Sequence, residues 1–234
     1  MTEIRALETP AQVAEANAVL RAVWQGDHDA VPSNTLIALA YAGNYAVGLY
    51  EDGRMVGASV GFFGPPADLV LHSHVTGILS SHRGRGLGKV MKRHQRDWAR
   101  ERGIERITWT FDPLVGRNAR FNLGVLGARA TAYLVDHYGS MDDGVNRGDQ
   151  TDRIFVEWSI GDPAPGLDGP GAVVVPPQDI AAAVAVPEDI ERMRAEAPIA
   201  AATWRRIVRD EIRGHLAEGL RIVTFDERGY LFSR

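Results

Sequence analysis

Apolar positions in the first half of the chain repeat first with the period of a helix and then with that of strands. Thr9 and Gln12, on either side of Pro10, have the form of a capping box, which predicts that a helix starts here. Asp52-Gly53 separates two apolar runs and is typical of a tight hairpin turn. Up to residue 111 the pattern predicts a helix from Pro10 to Trp24, a short helix over 35–41 capped by Asn34, strands over 45–50, 55–60 and 69–79, a helix over 87–102 ended by Gly103, and a strand over 107–111.

The second half has shorter elements and a break in composition. Residues 161–171 contain seven Gly or Pro among eleven and predict a linker. The residues beyond it are too few for a stable core of their own, so we expect them to pack on the main domain. We therefore predict a main domain over 1–160, a linker over 161–171 and a C-terminal helix-plus-hairpin extension over 172–234. The elements predicted here are a short helix over 118–126, strands over 130–135 and 154–158, a mobile polar loop over 139–152, an amphipathic helix along 204–216, and a hairpin of 221–225 with 230–232.

Composition narrows the class of protein. The chain has 234 residues, of which 45% are hydrophobic and 24% charged, as in an ordinary globular protein. It has no cysteine, which excludes disulfides, zinc sites built on Cys, iron–sulfur clusters and a cysteine nucleophile. The N-terminal residues are polar and no apolar run approaches 18 residues, so we expect no signal peptide, no membrane span and a cytoplasmic location.

The formal net charge of −4 hides a strongly basic segment. Residues 83–106 carry a net +6, and the rest of the chain carries −10. A compact basic site in an acidic protein suits a phosphate-bearing small molecule, whereas the aromatic residues that stack on nucleic acid are not interleaved with it, so we expect no nucleic-acid partner. We expect Arg83, Arg85 and Lys89 to bind phosphate, and the outer positions Lys92, Arg96, Arg100, Arg102 and Arg106 to form a solvated helix face.

Three glycines, at 84, 86 and 88, lie between the end of a predicted strand and the start of a predicted helix. Glycine lets a ligand approach the backbone closely, and a helix start offers free N–H groups to phosphate. The spacing does not fit a P-loop, because Val90 follows Gly88-Lys89, and its last interval is too short for the dinucleotide-binding pattern. It does fit [QR]-x-x-G-x-[GA], as Arg83-Gly84-Arg85-Gly86-Leu87-Gly88.

This six-residue pattern resembles the acyl-CoA motif of the GNAT (Gcn5-related N-acetyltransferase) superfamily, and the order of predicted elements over 1–160 resembles the GNAT fold. The resemblance implies an α/β (α+β) fold with a mixed, mostly antiparallel sheet flanked by helices. Residues 109–128 and the C-terminal extension are similar to a prokaryotic subgroup of predicted acetyltransferases, some of them linked to acylation of amino acids. The implied activity is transfer of an acetyl or succinyl group from acyl-CoA to the amine of a small molecule, with direct attack on the thioester.

By the same resemblance, acyl-CoA is the cosubstrate and lies along the end of the long strand and the glycine turn. Backbone amides of Ile78 or Leu79 polarise the thioester carbonyl, and Asn118 lies beside the pantetheine arm. The implied acyl-CoA-binding residues are Ile78, Leu79, Arg83, Gly84, Arg85, Gly86, Leu87, Gly88, Lys89 and Asn118. No metal is expected, since His72-Ser-His74 has no third ligand in view.

The reaction needs groups that move protons. His74 lies with His72 on one face of the long strand and titrates in the range that a base needs; the alternative is that both histidines only pack there. Asp112, at the end of the fourth strand, binds a substrate ammonium, acts as a base, or caps the following turn. Arg117 and Arg120 are candidates to bind a carboxylate of the acceptor or of the acyl group.

The sequence departs from the GNAT pattern at the expected acid. Many GNAT proteins have a tyrosine further along the short helix, where Asn122 or Leu123 stands in this chain. Asn122 can donate a hydrogen bond but cannot donate a proton at neutral pH. The CoA thiolate therefore leaves unassisted, or is protonated by Tyr133, Tyr138 or water.

Two other functions remain open. The missing tyrosine favours a GNAT module that binds acyl-CoA without catalysis, whereas His74 and Asp112 oppose that interpretation. A protein N-acetyltransferase would need an open acceptor groove, which we expect the extension after residue 171 to cover. A homodimer remains open beside a monomer.

Overall fold

The computed structural model describes residues 1–139, 141, 143–146 and 148–234. It separates into two compact units, Met1–Thr108 and Trp109–Arg234. The border falls within strand β5 (Arg106–Phe111). The C-terminal extension therefore shares its unit with residues 109–160, and the domain borders at 160 and 172 remain predictions from the sequence.

The first unit is built on an antiparallel sheet in the order β1–β2–β3–β4, and β5 pairs with β4 in parallel, from Val70–Arg106 to His72–Thr108. A mixed, mostly antiparallel sheet with flanking helices is the α/β class that the sequence predicts, and this prediction is confirmed. The further elements of the unit are β1 (Thr2–Ala6), α1 (Pro10–Trp24), α2 (Ser33–Tyr41), β2 (Tyr45–Glu51), β3 (Arg54–Phe63), β4 (Val70–Ile78), α3 (Leu87–Arg100) and short 3-10 turns at Pro66–Asp68 and Ser80–His82.

Local signals in the sequence account for two of these boundaries. Thr9 caps α1, since its Oγ1 accepts the N–H of Gln12 at 3.3 Å and Gln12 Oε1 accepts the N–H of Thr9 at 2.9 Å. Asp52 and Gly53 have φ of 48° and 79°, the torsions that a two-residue hairpin turn needs. The predicted capping box and hairpin are therefore confirmed.

Two other boundaries differ from the prediction. The sequence pattern does not predict β1, because the strand is short and four of its five residues are exposed, as is common at the edge of a sheet. α2 begins at Ser33, one residue before the predicted cap, and the Oδ1 of Asn34 accepts the adjacent N–H of Thr35 at 2.8 Å.

Helices cover both faces of this sheet. α1 and α2 contribute Leu20 and Leu36 to a buried core that also includes Ala46 of β2. Side chains alternate along a strand, so the preceding Tyr45 points to the other face, where its hydroxyl lies 3.0 Å from Nδ1 of His94 on α3. α3 therefore packs on the face opposite to α1 and α2.

β4 contains an irregularity that the sequence analysis did not predict. Val60 pairs with Val75, and the next residue, Gly61, pairs with Ser73, so His74 has no residue opposite it on β3. One extra residue in an antiparallel pair is a β-bulge, which re-aims the side chains beside it. The bulge thus falls on the histidine that the sequence singles out as a base.

The second unit has two separate strand sets. β6 (Arg129–Leu134) pairs antiparallel with β7 (Arg153–Ser159), and a three-stranded sheet has the order β8–β10–β9. β8 and α6 were not predicted from the sequence. The remaining elements are α4 (Gly116–Ala119), a π-helix (Arg120–Val125), α5 (Pro165–Asp168), a 3-10 turn (Pro177–Asp179), β8 (Ala182–Val184), α6 (Ile190–Glu196), α7 (Pro198–Ala217), β9 (Arg221–Asp226) and β10 (Gly229–Ser233).

The Gly/Pro-rich segment is packed within this unit. It contains α5, and Leu167 is buried there. A Cβ added at Gly166 would clash with the side chain of Val125, so the chain passes tightly against the π-helix. Further along, the Tyr230 hydroxyl donates a hydrogen bond to the carbonyl of Pro113 at 2.7 Å. The extension therefore packs on residues that precede the Gly/Pro-rich segment.

The polar stretch 139–152 contains buried polar side chains. Its residues 140, 142 and 147 lie outside the described residues. Asp143 Oδ1 accepts the N–H of Asn146 at 2.6 Å, and Asn146 Oδ1 accepts a hydrogen bond from Arg153 at 3.1 Å. Buried polar groups need such partners. Hydrogen bonds rather than apolar contacts thus hold the described part of this stretch.

Candidate functional site

The glycine turn leads from β4 into α3 with a left-handed backbone. Gly84 and Gly86 have φ of 76° and 80°, a region that favours glycine. Gly86 is the residue before α3 and has no side chain to cap the helix. A Cβ added at either glycine would meet no protein atom within 4 Å. The turn is therefore open in the direction from which a ligand would approach.

The start of α3 leaves backbone donors unused. Leu87 and Gly88 are in the first turn, where N–H groups have no partner inside the helix. The N–H groups of Lys89 and Val90 are both taken by the carbonyl of Gly86, at 2.9 and 3.2 Å. Free N–H groups and the positive end of the helix dipole favour an anion at this place. The arrangement has the backbone donors that a phosphate-binding site needs, and phosphate binding here stays a prediction from the sequence.

The basic side chains of the turn differ in their partners. Arg83 is exposed, Lys89 is half-buried, and neither forms an ion pair within the described part of the chain. Arg85 instead binds the Glu51 carboxylate through both terminal nitrogens, at 2.7 and 3.1 Å. Glu51 also lies 3.6 Å from Nε2 of His82. Arg83 and Lys89 thus keep their charge for a ligand, whereas Arg85 shares its charge with Glu51.

Two positions predicted to be solvated are buried instead. Lys92 is 6% exposed and Arg96 8% exposed, while the other three are exposed or half-buried. Nζ of Lys92 donates to Ser73 Oγ at 3.2 Å and to Gln95 Oε1 at 2.9 Å, and burial lowers the pKa of Lys92 to about 7. The predicted solvated face is therefore wrong for Lys92 and Arg96, which lie one turn apart on a buried side of α3.

The end of β4 has two candidate amides with different surroundings. The N–H of Leu79 donates to the carbonyl of Val56 at 2.9 Å. N–H groups alternate in direction along a strand, so the N–H of Ile78 points away from β3. Ile78, rather than Leu79, therefore has the amide that can face a ligand.

His74 is solvent-exposed on the bulge of β4 and has aromatic neighbours. The ring centroids of His74 and His72 lie 5.8 and 5.1 Å from that of Phe62, and 6.5 Å from each other. Their predicted placement on one face of the strand is confirmed, and both rings contact Phe62 of β3. Partial burial lowers the pKa of His74 below its ordinary value of 6.5. Its ring is therefore neutral at neutral pH and able to accept a proton.

Asp112 does not have the free carboxylate that the sequence analysis expected. Arg205 binds both of its oxygens, at 2.7 and 3.0 Å, and Arg194 binds Oδ2 as well. Oδ1 also accepts the N–H of Leu114 at 2.9 Å, which is the turn-capping alternative. Burial raises the pKa of Asp112, but the two arginines outweigh it and hold this pKa well below its ordinary value. The expected roles of base and ammonium ligand are corrected, because every oxygen is already bound.

The two asparagines lie in consecutive helical turns of the second unit. Asn118 is half-buried in α4. Asn122 and Leu123 are 5% and 2% exposed, and both belong to the π-helix. A π-helix places more residues in each turn than an α-helix does. The angular spacing of Asn122 and Leu123 from Asn118 therefore differs from that in a regular α-helix.

Other candidates of the second unit have protein partners. The Tyr133 hydroxyl donates to Asp152 Oδ2 at 2.6 Å, and burial together with that hydrogen bond raises the pKa of Tyr133. Arg117 forms a two-point ion pair with Glu191 of α6, with Nη2 and Oε1 2.8 Å apart. Tyr133 is thus a weak acid, and Arg117 is not available for a substrate carboxylate.

Two features of the site escaped the sequence analysis. Glu51 is 34 residues from Arg85, and no local pattern links them. The bulge has one signal, a glycine inside a strand, since a Cβ at Gly61 would lie 2.9 Å from the carbonyl of His72. The structure thus brings His74 together with the backbone from Ile78 to Lys89 in the first unit, while Asp112, Asn118 and Asn122 belong to the second.

Two negative findings apply to the described residues. No three of their His, Asp or Glu side chains are grouped to hold a metal ion. In the same part of the chain, no helix combines the length and apolar character needed to cross a bilayer.

Comparison with known proteins gives a family match and structural neighbours. A model of the acetyltransferase (GNAT) family matches residues 9–121, which include the glycine turn and α3. No curated protein sequence matches the chain.

Solved structures with a similar fold share little sequence with this chain. The ribosomal-protein-S18-alanine N-acetyltransferase from Escherichia coli is 15% identical with a TM-score of 0.56, over 68% of this chain and 94% of that chain. Ard1 from Thermoplasma volcanium is 13% identical with a TM-score of 0.56, over 68% and 97%. The protein yncA from Salmonella typhimurium, solved with its cofactor acetyl-CoA, is 18% identical with a TM-score of 0.55, over 70% and 97%. These neighbours share the fold of this chain, and the match of residues 9–121 to the GNAT family model confirms the resemblance to GNAT acetyltransferases that the sequence predicts.

Proposed function

We propose that this protein is an acyl-CoA-dependent N-acyltransferase that transfers an acetyl or succinyl group to the amine of a small molecule, such as an amino acid. One observation supports the proposal most directly: the open turn from Arg83 to Gly88, with two glycines at positive φ and unused N–H groups at the start of α3. The match of residues 9–121 to the GNAT acetyltransferase family model supports acyl transfer as the reaction.

In this proposal the glycine turn holds the phosphates of CoA. The N–H groups of Leu87 and Gly88 donate to phosphate oxygens, and Arg83 and Lys89 add charge. Arg85 contributes to phosphate binding only when its guanidinium leaves the Glu51 carboxylate for a phosphate oxygen. At the other end of the ligand, the Ile78 amide donates to the thioester carbonyl oxygen and so polarises the carbon for attack.

His74 is the proposed base. An ammonium group cannot attack the thioester, so the acceptor must first lose a proton. His74 is exposed, its ring is neutral at neutral pH because its pKa is lowered, and the bulge fixes its direction. The neutral amine nitrogen then bonds to the carbonyl carbon, the C–S bond breaks, CoA leaves as a thiolate, and the nitrogen loses its surplus proton to water to give the amide. We assign to water the role of the acid that protonates the thiolate, because Asn122 has no proton to give and Tyr133 is bound to Asp152.

A protein acceptor is the second candidate. A neighbour that shares the fold is named for a ribosomal-protein acceptor, and this similarity favours testing a peptide beside small amines. A GNAT module that binds acyl-CoA without turnover is the third candidate. The absence of a tyrosine at the positions of Asn122 and Leu123 favours that interpretation.

A thiol-release assay on the full chain distinguishes the three. Acetyl-CoA and succinyl-CoA are each offered with a panel of amines and amino acids, and with a peptide that begins with alanine. We expect turnover with a small amine and its loss in Gly86→Val, which blocks the phosphate site. Turnover with the peptide alone would replace our acceptor by a protein. CoA binding without turnover on any acceptor would contradict an enzymatic role.

A further inference from the structure

Three buried side chains of the first unit form a closed triangle of hydrogen bonds. Lys92 Nζ donates to Ser73 Oγ at 3.2 Å and to Gln95 Oε1 at 2.9 Å, and Gln95 Nε2 donates to Ser73 Oγ at 3.1 Å. Gln95 is fully buried, and Lys92 and Ser73 are 6% and 5% exposed. We call these three residues the buried triangle.

The chemistry of the triangle restricts its geometry. A hydroxyl has two lone pairs, and both lone pairs of Ser73 are used by Lys92 and Gln95. Gln95 uses its oxygen for Lys92 and its nitrogen for Ser73, so its amide cannot be turned over without breaking both bonds. A lysine is rarely buried to this degree. Keeping one here is expensive in free energy, and a role for its position would account for its presence.

The triangle joins the two parts of the proposed active site. Ser73 is the last residue of β4 in register before the bulge, and His74 is the bulge residue itself. Lys92 and Gln95 are on α3, and Lys92 lies about 7.5 Å along the helix axis from Leu87, whose N–H faces the proposed phosphate site. The same three residues therefore link the start of the CoA-binding helix to the strand that presents the base.

We infer that Lys92, Gln95 and Ser73 are positioning residues, which hold the bulge of β4 in the register that directs the His74 ring toward the acceptor amine. The inference rests on the proposed function, because it assumes that His74 is the base. In this role the three residues of the buried triangle do not contact the substrate. Loss of the triangle should let the bulge relax or shift, which turns His74 away from the acceptor but leaves the glycine turn in place.

Two variants and two controls test this role. Lys92→Met removes both hydrogen bonds that Lys92 donates, with a side chain of similar length. It leaves Gln95 Oε1 without this donor and so costs stability, and its fold is therefore checked by circular dichroism before its kinetics are measured. Ser73→Ala removes the shared acceptor, and Ser73→Thr restores a hydroxyl. Ser59→Ala is the matched control: Ser59 is fully buried on β3 and shares a 2.7 Å hydrogen bond with Thr76, outside the triangle.

We expect Lys92→Met and Ser73→Ala to lower kcat by about tenfold or more and to change the pH profile of kcat, with KM for acetyl-CoA within about twofold. Ser73→Thr should recover most of kcat, and Ser59→Ala should keep the wild-type kcat and pH profile. Wild-type kcat in Lys92→Met and Ser73→Ala, or a rise in KM alone, would overturn the inference.

His74→Ala separates this inference from the proposed function. If His74→Ala keeps the wild-type rate and pH profile, the proposed base is wrong, and the role of the triangle falls with it. If His74→Ala loses activity while the triangle variants do not, only the triangle is contradicted. The His74 ring resonance in NMR titration gives a readout without an acceptor. Its midpoint should move by about half a pH unit in Lys92→Met and Ser73→Ala but not in Ser59→Ala, and an unmoved midpoint would contradict us.

Discussion

At the scale of single residues, two glycines have the same φ angle but different surroundings. φ is +80° at both Gly86 and Gly43, and an added Cβ would meet no atom within 4 Å at either. A valine at either position costs about 1–2 kcal/mol of stability, because the left-handed conformation is unfavourable. At Gly86 the new side chain would also stand beside the N–H groups of Leu87 and Gly88. We expect Gly86→Val to weaken CoA binding about 30-fold or more in calorimetric titration.

Gly43→Val is the control for this loss. It carries the same backbone strain in the turn between α2 and β2, so its CoA affinity should equal that of the wild type. An unchanged affinity in Gly86→Val would mean that the glycine turn is not the phosphate site. Equal losses in the two variants would point to destabilisation of the whole unit.

His74 gives a prediction about pH. Its pKa is lowered by partial burial, so the fraction of neutral base is already high at pH 7 and falls as the pH drops through that lowered value. His74→Ala should lose about 100-fold in kcat/KM near neutral pH. It should recover at high pH, where the acceptor amine loses its proton without help. The measurement is the pH profile of thiol release.

His72→Ala is the matched control for His74. His72 lies on the same face and packs on the same Phe62, but Nδ1 is 3.1 Å from Thr108 Oγ1. We expect this variant to keep the shape of the pH profile. A loss in His74→Ala that is equal at every pH would make His74 a packing residue, as the alternative from the sequence has it.

Residue types at the site were predictable, but their partners were not. The glycine turn is a local pattern, so it could be identified within six consecutive residues. Asp112 was recognised as a carboxylate at a strand end, yet the arginines that bind it stand 82 and 93 residues away. Burial of Lys92 likewise depends on Ser73, 19 residues earlier on another element. Contacts of this kind are set by tertiary packing and leave no trace in a local pattern.

At the scale of elements, the same distinction separates what was predicted from what was missed. α1 and the hairpin at Asp52-Gly53 are specified by their own capping and turn residues. β1 is short and mostly exposed, and it forms because β2 offers it a pairing edge. In the π-helix the N–H of Leu126 donates to the carbonyl of Phe121, five residues earlier. This geometry is rare, so the π-helix depends on the packing around it. Elements with internal signals could be predicted, and elements defined by a neighbour could not.

Four charged side chains tie together separate elements of the second unit. Arg194 and Arg205 each bind both Asp112 and Asp149, with Nε of Arg194 at 2.9 Å and Nη2 of Arg205 at 2.8 Å from Asp149 Oδ2. They join the end of β5, the stretch 139–152, α6 and α7. All four side chains are less than a tenth exposed. We call them the ion-pair cluster.

Arg205→Met tests the ion-pair cluster. It leaves the buried carboxylates of Asp112 and Asp149 with only one of their two arginine partners. We therefore expect a loss of about 3–5 kcal/mol in the free energy of unfolding, measured with urea on the full chain. Arg192→Met is the control. Arg192 pairs with Glu196 on the surface of α6, where both side chains are mostly exposed, so its loss should stay within about 0.5 kcal/mol. Equal losses in the two variants would mean that the cluster contributes no more than a surface pair.

The pH dependence of this difference follows from Asp112. Its pKa in the folded protein is held below the ordinary value, so the stability that it contributes is complete above the ordinary pKa of 3.8 and is lost as the pH falls through the folded value. The difference between wild type and Arg205→Met should thus be constant from about pH 5 to 8 and shrink only in strong acid.

At the scale of the whole molecule, the charge distribution predicted the ligand class better than the net charge of −4. The segment 83–106 was singled out for its net +6, but the structure reduces what a ligand can use. Lys92 and Arg96 are buried, and Arg85 is paired with Glu51. In the proposed function, Arg83, Lys89 and the first turn of α3 are therefore the groups that supply most of the attraction for phosphate. This smaller set is still concentrated at one end of one helix.

Salt should separate this local attraction from the rest of CoA binding. The screening length becomes shorter as the ionic strength rises, so exposed charges such as Arg83 attract phosphate less at high salt. We expect the Kd for CoA to rise about three- to tenfold between about 50 and 300 mM NaCl. Pantetheine has no phosphate and should bind weakly but with the same Kd at both salt concentrations. Arg83→Ala should flatten the salt dependence for CoA, because it removes an exposed charge without a protein partner. If salt weakened the binding of pantetheine and of CoA equally, the phosphates of CoA would not lie against the basic turn.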